Sequence, residues 1–291
     1  MKLLPKVSVV CTVYKHEAYL RECFDGFVMQ KTNFPFEILV NDDCSSDGSA
    51  EIMREYESKY PDLFRCVYQE ENQYSKGLFP WFEVLFPMAK GQYIAICEGD
   101  DYWTDPYKLQ KQIDFMDSNL DYIACFHNAL IKYPKSYSFF NSANENHNPT
   151  TEDIIRRRWF ISTQTLLFRN IKLSYPVWKS KVVNEDYLLE LLLAKEGKFR
   201  YMDDVMAVYR QDGTGVSASL NVNKRKMFDQ LVFLLTNMKE LYGGRCSDAF
   251  DESIANYQAQ KEDFVRSTHP VRKWFYRKTY TRLLKKILRS I

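Results

Sequence analysis

Residues 91–118, GQYIAICEGDDYWTDPYKLQKQIDFMDS, place a short apolar run, an acidic turn and a segment of helical period end to end. QYIAIC reads as a buried strand. The chain then turns through EGDDYWTDP into KLQKQIDFMDS, where Pro106 suits the first turn of a helix and Thr104 or Asp105 its cap. The same alternation extends upstream. Val7–Val13 (VSVVCTV) is an apolar, β-branched strand, followed by HEAYLRECFDGFVMQ with apolar residues at Tyr19, Leu20, Cys23, Phe24, Phe27 and Val28, which is helical spacing. FEILVN is a second strand, ending in the turn-rich Asp42-Asp43-Cys44-Ser45-Ser46-Asp47-Gly48; SAEIMREYESKY resumes the helical pattern and LFRCVYQ is a further strand. Strand, helix, strand, helix is the order of a parallel α/β sheet.

Downstream, Tyr122 to Ile131 reads as a strand and the Asn/Ser-rich stretch from Pro134 to Thr150 as a mobile surface loop of the kind that receives an acceptor. TLLFR and VMAVYR are later strands flanking the helix DYLLELLLAKEG, which Gly197 stops. From about Val222 the pattern is helical with few turn signals, giving an α/β domain over 1–221 and a helical extension over 222–291.

The 291 residues, 45% hydrophobic and 27% charged, are enough to bury one large core. The N-terminal apolar run is short and lacks a cleavage site, and charged residues punctuate every helical region, so neither a signal peptide nor a spanning helix is expected. Seven cysteines without CxxC spacing suggest buried thiols in a reducing compartment, with the cytoplasm as default. Net charge is +2, yet Arg266 to Ile291 holds nine Lys or Arg and no acid, leaving −7 for the remainder.

Open α/β sheets bind ligands at the carboxyl ends of their strands, which is where the acidic pairs fall. Asp100 and Asp101 follow QYIAIC directly, so they project into a cleft, and carboxylates there can bridge Mg²⁺ or Mn²⁺ to a diphosphate. A turn-and-cap cluster would use the same residues, but the strand end with Tyr102, Trp103 and Pro106 following favours chemistry. Asp42 and Asp43 end the second strand, placed to hydrogen-bond a nucleobase and a ribose, while Asp47 and Ser49 suit the turn and cap. Thr12 and Tyr14 end the first strand and offer a backbone contact and a stacking ring. Glu185 and Asp186 open DYLLELLLAKEG; they either complement the helix dipole or supply Asp186 as the base that takes an acceptor proton. No GxGxxG or GxxxxGK[ST] occurs, and His16, His127, His147 and His269 make no zinc set, each reading as structural or exposed.

Taken in order, VSVVCTVYKHEAYLRECFDGFVMQ, EILVNDDCSSDGS, GQYIAICEGDDYWTDPYKLQKQ, NEDYLLELL and VYRQDGTGVS make the chain resemble, from about Pro5 to Ser217, the family 2 glycosyltransferases of bacterial polysaccharide synthesis. The resemblance implies the GT-A fold, an α/β sandwich around a mainly parallel sheet, and inverting transfer from a nucleoside-diphosphate sugar to a saccharide or lipid-linked saccharide. It implies that Thr12 and Tyr14 flank the nucleobase and Asp43 hydrogen-bonds it. Asp101 becomes the metal ligand, Asp100 the neighbour of ribose and donor sugar, Asp186 the base and Glu185 its positioning partner. Two departures stand out: Asp212 replaces a histidine common in the family, and LFPWFEVLFPMAKG replaces an Ala-Arg-Asn segment, leaving Lys76 as a weak candidate for the diphosphate.

Rival classes are a glycosidase, which needs two carboxylates flanking a scissile bond and no nucleotide site, and a non-catalytic sugar-nucleotide or glycan-binding protein on the same fold. Trp274, Phe275, Tyr276 and Tyr280 interleave with basic residues as in single-strand binders, but the remaining chain is acidic and no nucleic-acid partner is expected. In the same tail, Trp274, Tyr280, Leu283, Leu284, Ile287, Leu288 and Ile291 recur at helical spacing. That pattern fits an amphipathic helix on an anionic membrane face, which the family context favours, or one packed on the catalytic domain.

Overall fold

The computed structural model describes residues 4–142, 145–182, 184–211 and 224–268. The chain divides into two compact units, 1–213 and 214–291. The boundary expected near Val222, together with Asp212, lies outside the described residues.

The first unit is built on a nine-stranded sheet. In chain order its elements are β1 (Val7–Val13), α1 (Leu20–Val28), β2 (Phe36–Asp42), α2 (Ser49–Lys59), β3 (Phe64–Tyr68), a π-helical turn at Trp81–Leu85 running into α3 (Phe86–Met88), β4 (Tyr93–Ile96), β5 (Tyr102–Trp103), α4 (Lys108–Ser118), β6 (Tyr122–Tyr133), β7 (Ser136–Phe139), α5 (Thr151–Arg156), β8 (Leu167–Arg169), α6 (Glu185–Glu196) and β9 (Lys198–Arg210). The strand order is β3-β2-β1-β4-β8-β6-β9-β5, with β7 paired to β6. From β3 to β4 every pairing is parallel; beyond β4 the sheet is mixed, with β8 antiparallel to both neighbours and β6 parallel to β9. This is the α/β sandwich expected from the sequence.

Parallel strands covered on both faces must be apolar throughout, and the exceptions are paid for by internal partners. Ser8, fully buried in β1, donates to Glu37 Oε1 at 2.8 Å and accepts from the Gly91 amide at 2.9 Å, while the same Glu37 oxygen accepts the Lys90 amide at 2.8 Å. The core beneath α1 and α2 is aromatic: Phe24 meets Tyr56 and Phe64 edge-on, both at 5.1 Å, and Phe27 meets Trp103 at 4.7 Å. α6 is buried nearly all round, from Tyr187 to Ala194, and the Tyr187 hydroxyl donates to the Ile155 carbonyl at 2.6 Å.

Two local expectations are corrected, and a third is met for a different physical reason. The stretch from Pro134 is not loop throughout, because β7 pairs with the end of β6, Tyr133 opposite Ser136 and Leu130 opposite Phe139. Its side chains are exposed, so the pairing rests on backbone hydrogen bonds that leave no burial pattern to read. Neither Thr104 nor Asp105 caps the following helix, whose N-cap position is Tyr107; Asp105 Oδ1 accepts the Tyr107 amide at 2.7 Å, and Pro106 sits in the lead-in turn before α4. Gly197 ends α6 in an extended rather than left-handed conformation, and its need is space: a Cβ there would lie 3.0 Å from Ile123 Cβ.

The second unit is described by α7 (Lys224–Leu241) and α8 (Ser247–Thr268), joined by a turn in which Gly243 and Gly244 take φ of 58° and 88°. The helices meet through Tyr242 and Phe250, ring centres 5.0 Å apart, and through Lys239 and Asp251 at 2.6 Å. Arg266 lies in the last turn of α8, and the basic tail beyond Thr268 lies outside the described residues. Among the described residues no helix is long and apolar enough to cross a membrane.

Candidate active site

The register of the parallel half decides where the acids meet. Val13 is level with Asp42, so β1 and β2 end together, whereas β4 stops at Ile96, level with Val10, and its following turn runs on beside the end of β1. Their loops are stitched by backbone bonds: the Asp43 amide donates to the Val13 carbonyl at 2.9 Å, and the Gly99 amide to the Thr12 carbonyl at 3.0 Å. Lys15 and Cys44, with φ of 58° and 62°, turn the chain sharply just past those ends. Thr12, Tyr14, Asp43, Asp100 and Asp101 therefore share one sheet edge. Tyr14 is 43% exposed at the rim, with the Lys15 ammonium 5.1 Å from its ring centre.

Asp43 is buried, and its carboxylate organises the neighbouring loop. Oδ1 accepts the Gln73 amide at 2.7 Å and Oδ2 the Tyr74 amide at 3.1 Å. Lys76, on the same loop, is paired with Glu71, which occupies the ammonium suggested for the diphosphate.

Carboxylate oxygens of Glu98, Asp100 and Asp101 lie within 4.8 Å of one another. Asp101 is 1% exposed; Oδ1 accepts the Arg210 amide at 2.8 Å, and Oδ2 is buried without a hydrogen-bond partner. Burial, then the Asp100 charge, pushes the Asp101 carboxyl well above the ordinary range. Burial likewise pushes Glu98 well up, reinforced by Asp100, Asp186 and Glu185. Clustered acids with an unpartnered buried oxygen suit a hard dication, whose charge would remove the repulsion that now favours protonation.

Glu185 and Asp186 face the same cleft from the start of α6. Burial, then the charges of Asp186 and Asp43, pushes Glu185 to about 8, and Glu185 Oε2 is buried without a partner. Asp186 is raised by burial, an effect opposed by the Tyr187 amide, which donates to Oδ1 at 2.8 Å, and by the charge of Arg158. A carboxylate with raised affinity for a proton is a stronger base than one in water.

Four residues of the site escaped the sequence reading. Arg210, at the end of β9, donates through its guanidinium to the Asp100 carbonyl, pairs with Glu22, and lies 4.4 Å from the centre of the Tyr102 ring. It arrives there because β5 returns the acidic turn to the sheet, Tyr102 opposite Val208. His16 was expected to be structural or exposed, but its Nε2 sits 3.9 Å from Asp100 Oδ2 while Nδ1 is buried without a partner. Gly99 makes room for it, since a Cβ there would stand 2.8 Å from His16 Nδ1. Tyr74 has its phenol pushed to about 12 by burial and then by Glu185, Asp186 and Glu98, which places its ring among the acids of both loops. Glu190, one turn after Asp186, is buried, and burial followed by the Asp186 charge raises it well above the ordinary range. His16, Glu190 and Arg210 lie inside the stretches quoted above and Tyr74 in none of them, but apart from Asp186 beside Glu190 their partners are distant in sequence, so their place in the site could not be read from the motifs.

The description Glycosyl transferase family 2 matches residues 8–190, a span that holds every acid of this cleft. The chain belongs to glycosyl transferase family 2. Among its relatives, the uncharacterized protein Rv1520 of Mycobacterium tuberculosis is 34% identical over 225 residues, covering 77% of this chain and 64% of that protein. The chain thus spans just under two thirds of that relative's length. The putative teichuronic acid biosynthesis glycosyltransferase TuaG of Bacillus subtilis is 25% identical over 254 residues, covering 87% of this chain and 96% of TuaG. In structure, S. aureus TarS 1–349 in complex with UDP-GlcNAc superposes with a TM-score of 0.67 at 19% identity, covering 90% of this chain and 73% of that one. The mannosyltransferase PcManGT from Pyrobaculum calidifontis, in complex with GDP-Man and Mn²⁺, gives 0.57 at 15% identity, covering 97% and 81%. At these identities the structural likeness carries the fold, and the family's GT-A sandwich is the one seen here.

Proposed function

We propose that this family 2 chain transfers a sugar from a nucleoside-diphosphate sugar to an acceptor hydroxyl, with inversion, in surface polysaccharide synthesis. The observation that carries the reading is the convergence of Glu98, Asp100 and Asp101, oxygens within 4.8 Å, with Glu185 and Asp186 close enough to raise Glu98. One acidic group suits a dication and the other suits a base, the division of labour that a single displacement needs. The family match, the teichuronic acid biosynthesis role for which TuaG is named and the nucleotide-sugar complexes of the structural neighbours support the same reading.

Catalysis belongs to residues 1–221 in this reading. Thr12 and Tyr14 flank the nucleobase and Asp43, already fixed by two amides, hydrogen-bonds it with its remaining lone pairs. Asp100 faces the ribose and donor sugar, and Asp101, through its unpartnered Oδ2, anchors the metal with Glu98 and Asp100 beside it. Mg²⁺ or Mn²⁺ would supply charge neutralisation for the departing diphosphate. Asp186 takes the proton of the attacking hydroxyl, and Glu185 positions it. The basic tail, 266–291, holds the enzyme on the anionic cytoplasmic membrane face near a lipid-linked acceptor.

A calorimetric panel of nucleotide sugars, with and without Mg²⁺ or Mn²⁺, tests this. One donor should bind only with metal and release its nucleoside diphosphate on turnover. Asp186→Asn should bind that donor unchanged and lose transfer. Binding without turnover in the wild-type chain would instead mark a non-catalytic binding protein, and loss of donor affinity in Asp186→Asn would move Asp186 to the nucleotide site.

A further inference from the structure

The turn after α5 carries a tryptophan where a core has no use for it. Trp159 is 43% exposed and has φ of 65°, a backbone region that bulky side chains avoid. Such strain persists when the surroundings hold it, and it clusters at sites that bind. Here both flanks are pinned. Phe160 is buried, 5.1 Å from the Phe126 ring centre, and its carbonyl accepts from Asn141 Nδ2 at 3.2 Å. The Arg157 guanidinium covers Phe160 at 4.0 Å while donating to both oxygens of Glu145 at 2.6 and 2.8 Å. The Arg158 guanidinium lies 4.7 Å from the Trp159 ring centre.

Asn141, Glu145, Arg157, Arg158 and Trp159 line a cavity of about 230 Å³. That is smaller than the roughly 300–1,000 Å³ of sites for drug-sized ligands, so it suits one ring rather than an extended chain. Its lining is polar, a set of fixed donors and acceptors, with the half-exposed Trp159 ring at its edge. A pyranose is complementary, with an axial C–H face for the indole and equatorial hydroxyls for the amide, guanidinium and carboxylate groups. Arg158 links the cavity to the reaction centre, since it is near enough to Asp186 and Glu190 for its charge to favour both carboxylates.

We propose that Trp159 is a stacking platform for one pyranose ring of the acceptor, whose hydroxyls are held by Asn141, Arg157 and Arg158 on the Asp186 side of the cleft. The assignment of that ring to the acceptor rests on the transferase reading; the binding of a pyranose does not. Two consequences separate this role from a structural one. Removing the indole abolishes saccharide binding, and glycine at position 159 relieves the backbone strain, so Trp159→Gly keeps or raises the melting temperature.

The test is ligand-observed saturation-transfer NMR on the full chain, with methyl glucoside, galactoside, N-acetylglucosaminide and glucuronide as probes in saturating uridine diphosphate and Mn²⁺. At least one probe should receive saturation in the wild type. Trp159→Gly should lose it with an unchanged or higher melting temperature, and Trp159→Phe should keep part of it. A silent wild type, or a Trp159→Gly signal equal to wild type, overturns the platform. A Trp159-dependent signal in a chain that binds no nucleotide sugar in calorimetry leaves the platform standing and removes the transferase reading instead.

Discussion

Asp101 gives its two oxygens different tasks, and substitutions can separate them. Oδ1 holds the Arg210 amide and Oδ2 is unpartnered. Asp101→Asn can still accept that amide through its carbonyl, and it removes a buried charge, so its melting temperature should not fall. It should nevertheless lose metal-dependent donor binding and most turnover, because a neutral amide is a poor ligand for a hard dication. Asp101→Ala orphans the Arg210 amide and should also lose about 1–3 kcal/mol of stability. Wild-type metal dependence in Asp101→Asn would refute the assignment. Glu185 gives a prediction in pH. Its carboxyl is held at about 8, so over the interval below that value the folded chain keeps a proton that the unfolded chain has released. Stability from this group is therefore complete below the ordinary carboxylate range and lost as pH rises through about 8. Thermal melts of the metal-free protein from about pH 6 to about pH 9 should show a falling melting temperature, with a shallower fall in Glu185→Gln; equal slopes would place the titration elsewhere. Asp43, Asp100, Asp101, Glu185 and Asp186 were legible in the sequence because they sit at strand ends or a helix start. Arg210 and His16 were not, since Arg210 meets Glu22 across 188 positions and His16 meets Asp100 only because Gly99 lacks a Cβ.

Elements buried on both faces announced themselves, and those held by a partner did not. β1, β2 and β4 are continuous apolar runs, and α1 repeats its apolar positions at helical spacing, so period alone located them. β5 is two residues long and exists because β9 lies beside it; β7 is exposed and exists because β6 does. Neither carries a pattern of its own. The contact between α1 and β5 also reverses a rule of helix propensity. Gly26 lies inside α1, where glycine to alanine ordinarily gains about 1 kcal/mol. An added Cβ would stand 2.9 Å from the Trp103 carbonyl oxygen and 3.0 Å from its amide nitrogen, both backbone atoms that cannot swing aside. Gly26→Ala should therefore destabilise the protein by about 1–3 kcal/mol and loosen the acidic turn that β5 anchors. Chemical denaturation measures the sign; a gain in stability would show that α1 can move away from β5 at little cost.

At the scale of the whole molecule the informative quantity is where the charge lies. The chain carries +2 overall and nine basic residues between Arg266 and Ile291, so everything before them sums to −7. An anionic surface repels that remainder, which leaves the tail as the segment able to draw the protein to it. Each basic residue near such a membrane is worth about 1 kcal/mol. On the proposed reading, partial engagement of nine would be enough for reversible attachment, and the apolar residues at helical spacing, Leu283, Leu284, Ile287 and Leu288 among them, would add burial in the acyl boundary. A chain ending at Thr268 keeps both described helices of the second unit and loses eight of the nine basic residues. In vesicle co-sedimentation the full chain should bind anionic and not neutral vesicles. Binding should weaken as salt shortens the screening length from about 10 Å at 0.1 M to about 3 Å at 1 M. The shortened chain should stay in the supernatant while keeping its nucleotide affinity, which separates loss of the anchor from loss of the fold. Equal sedimentation of the two chains would show that the attraction lies elsewhere and that the basic residues of the tail serve another contact.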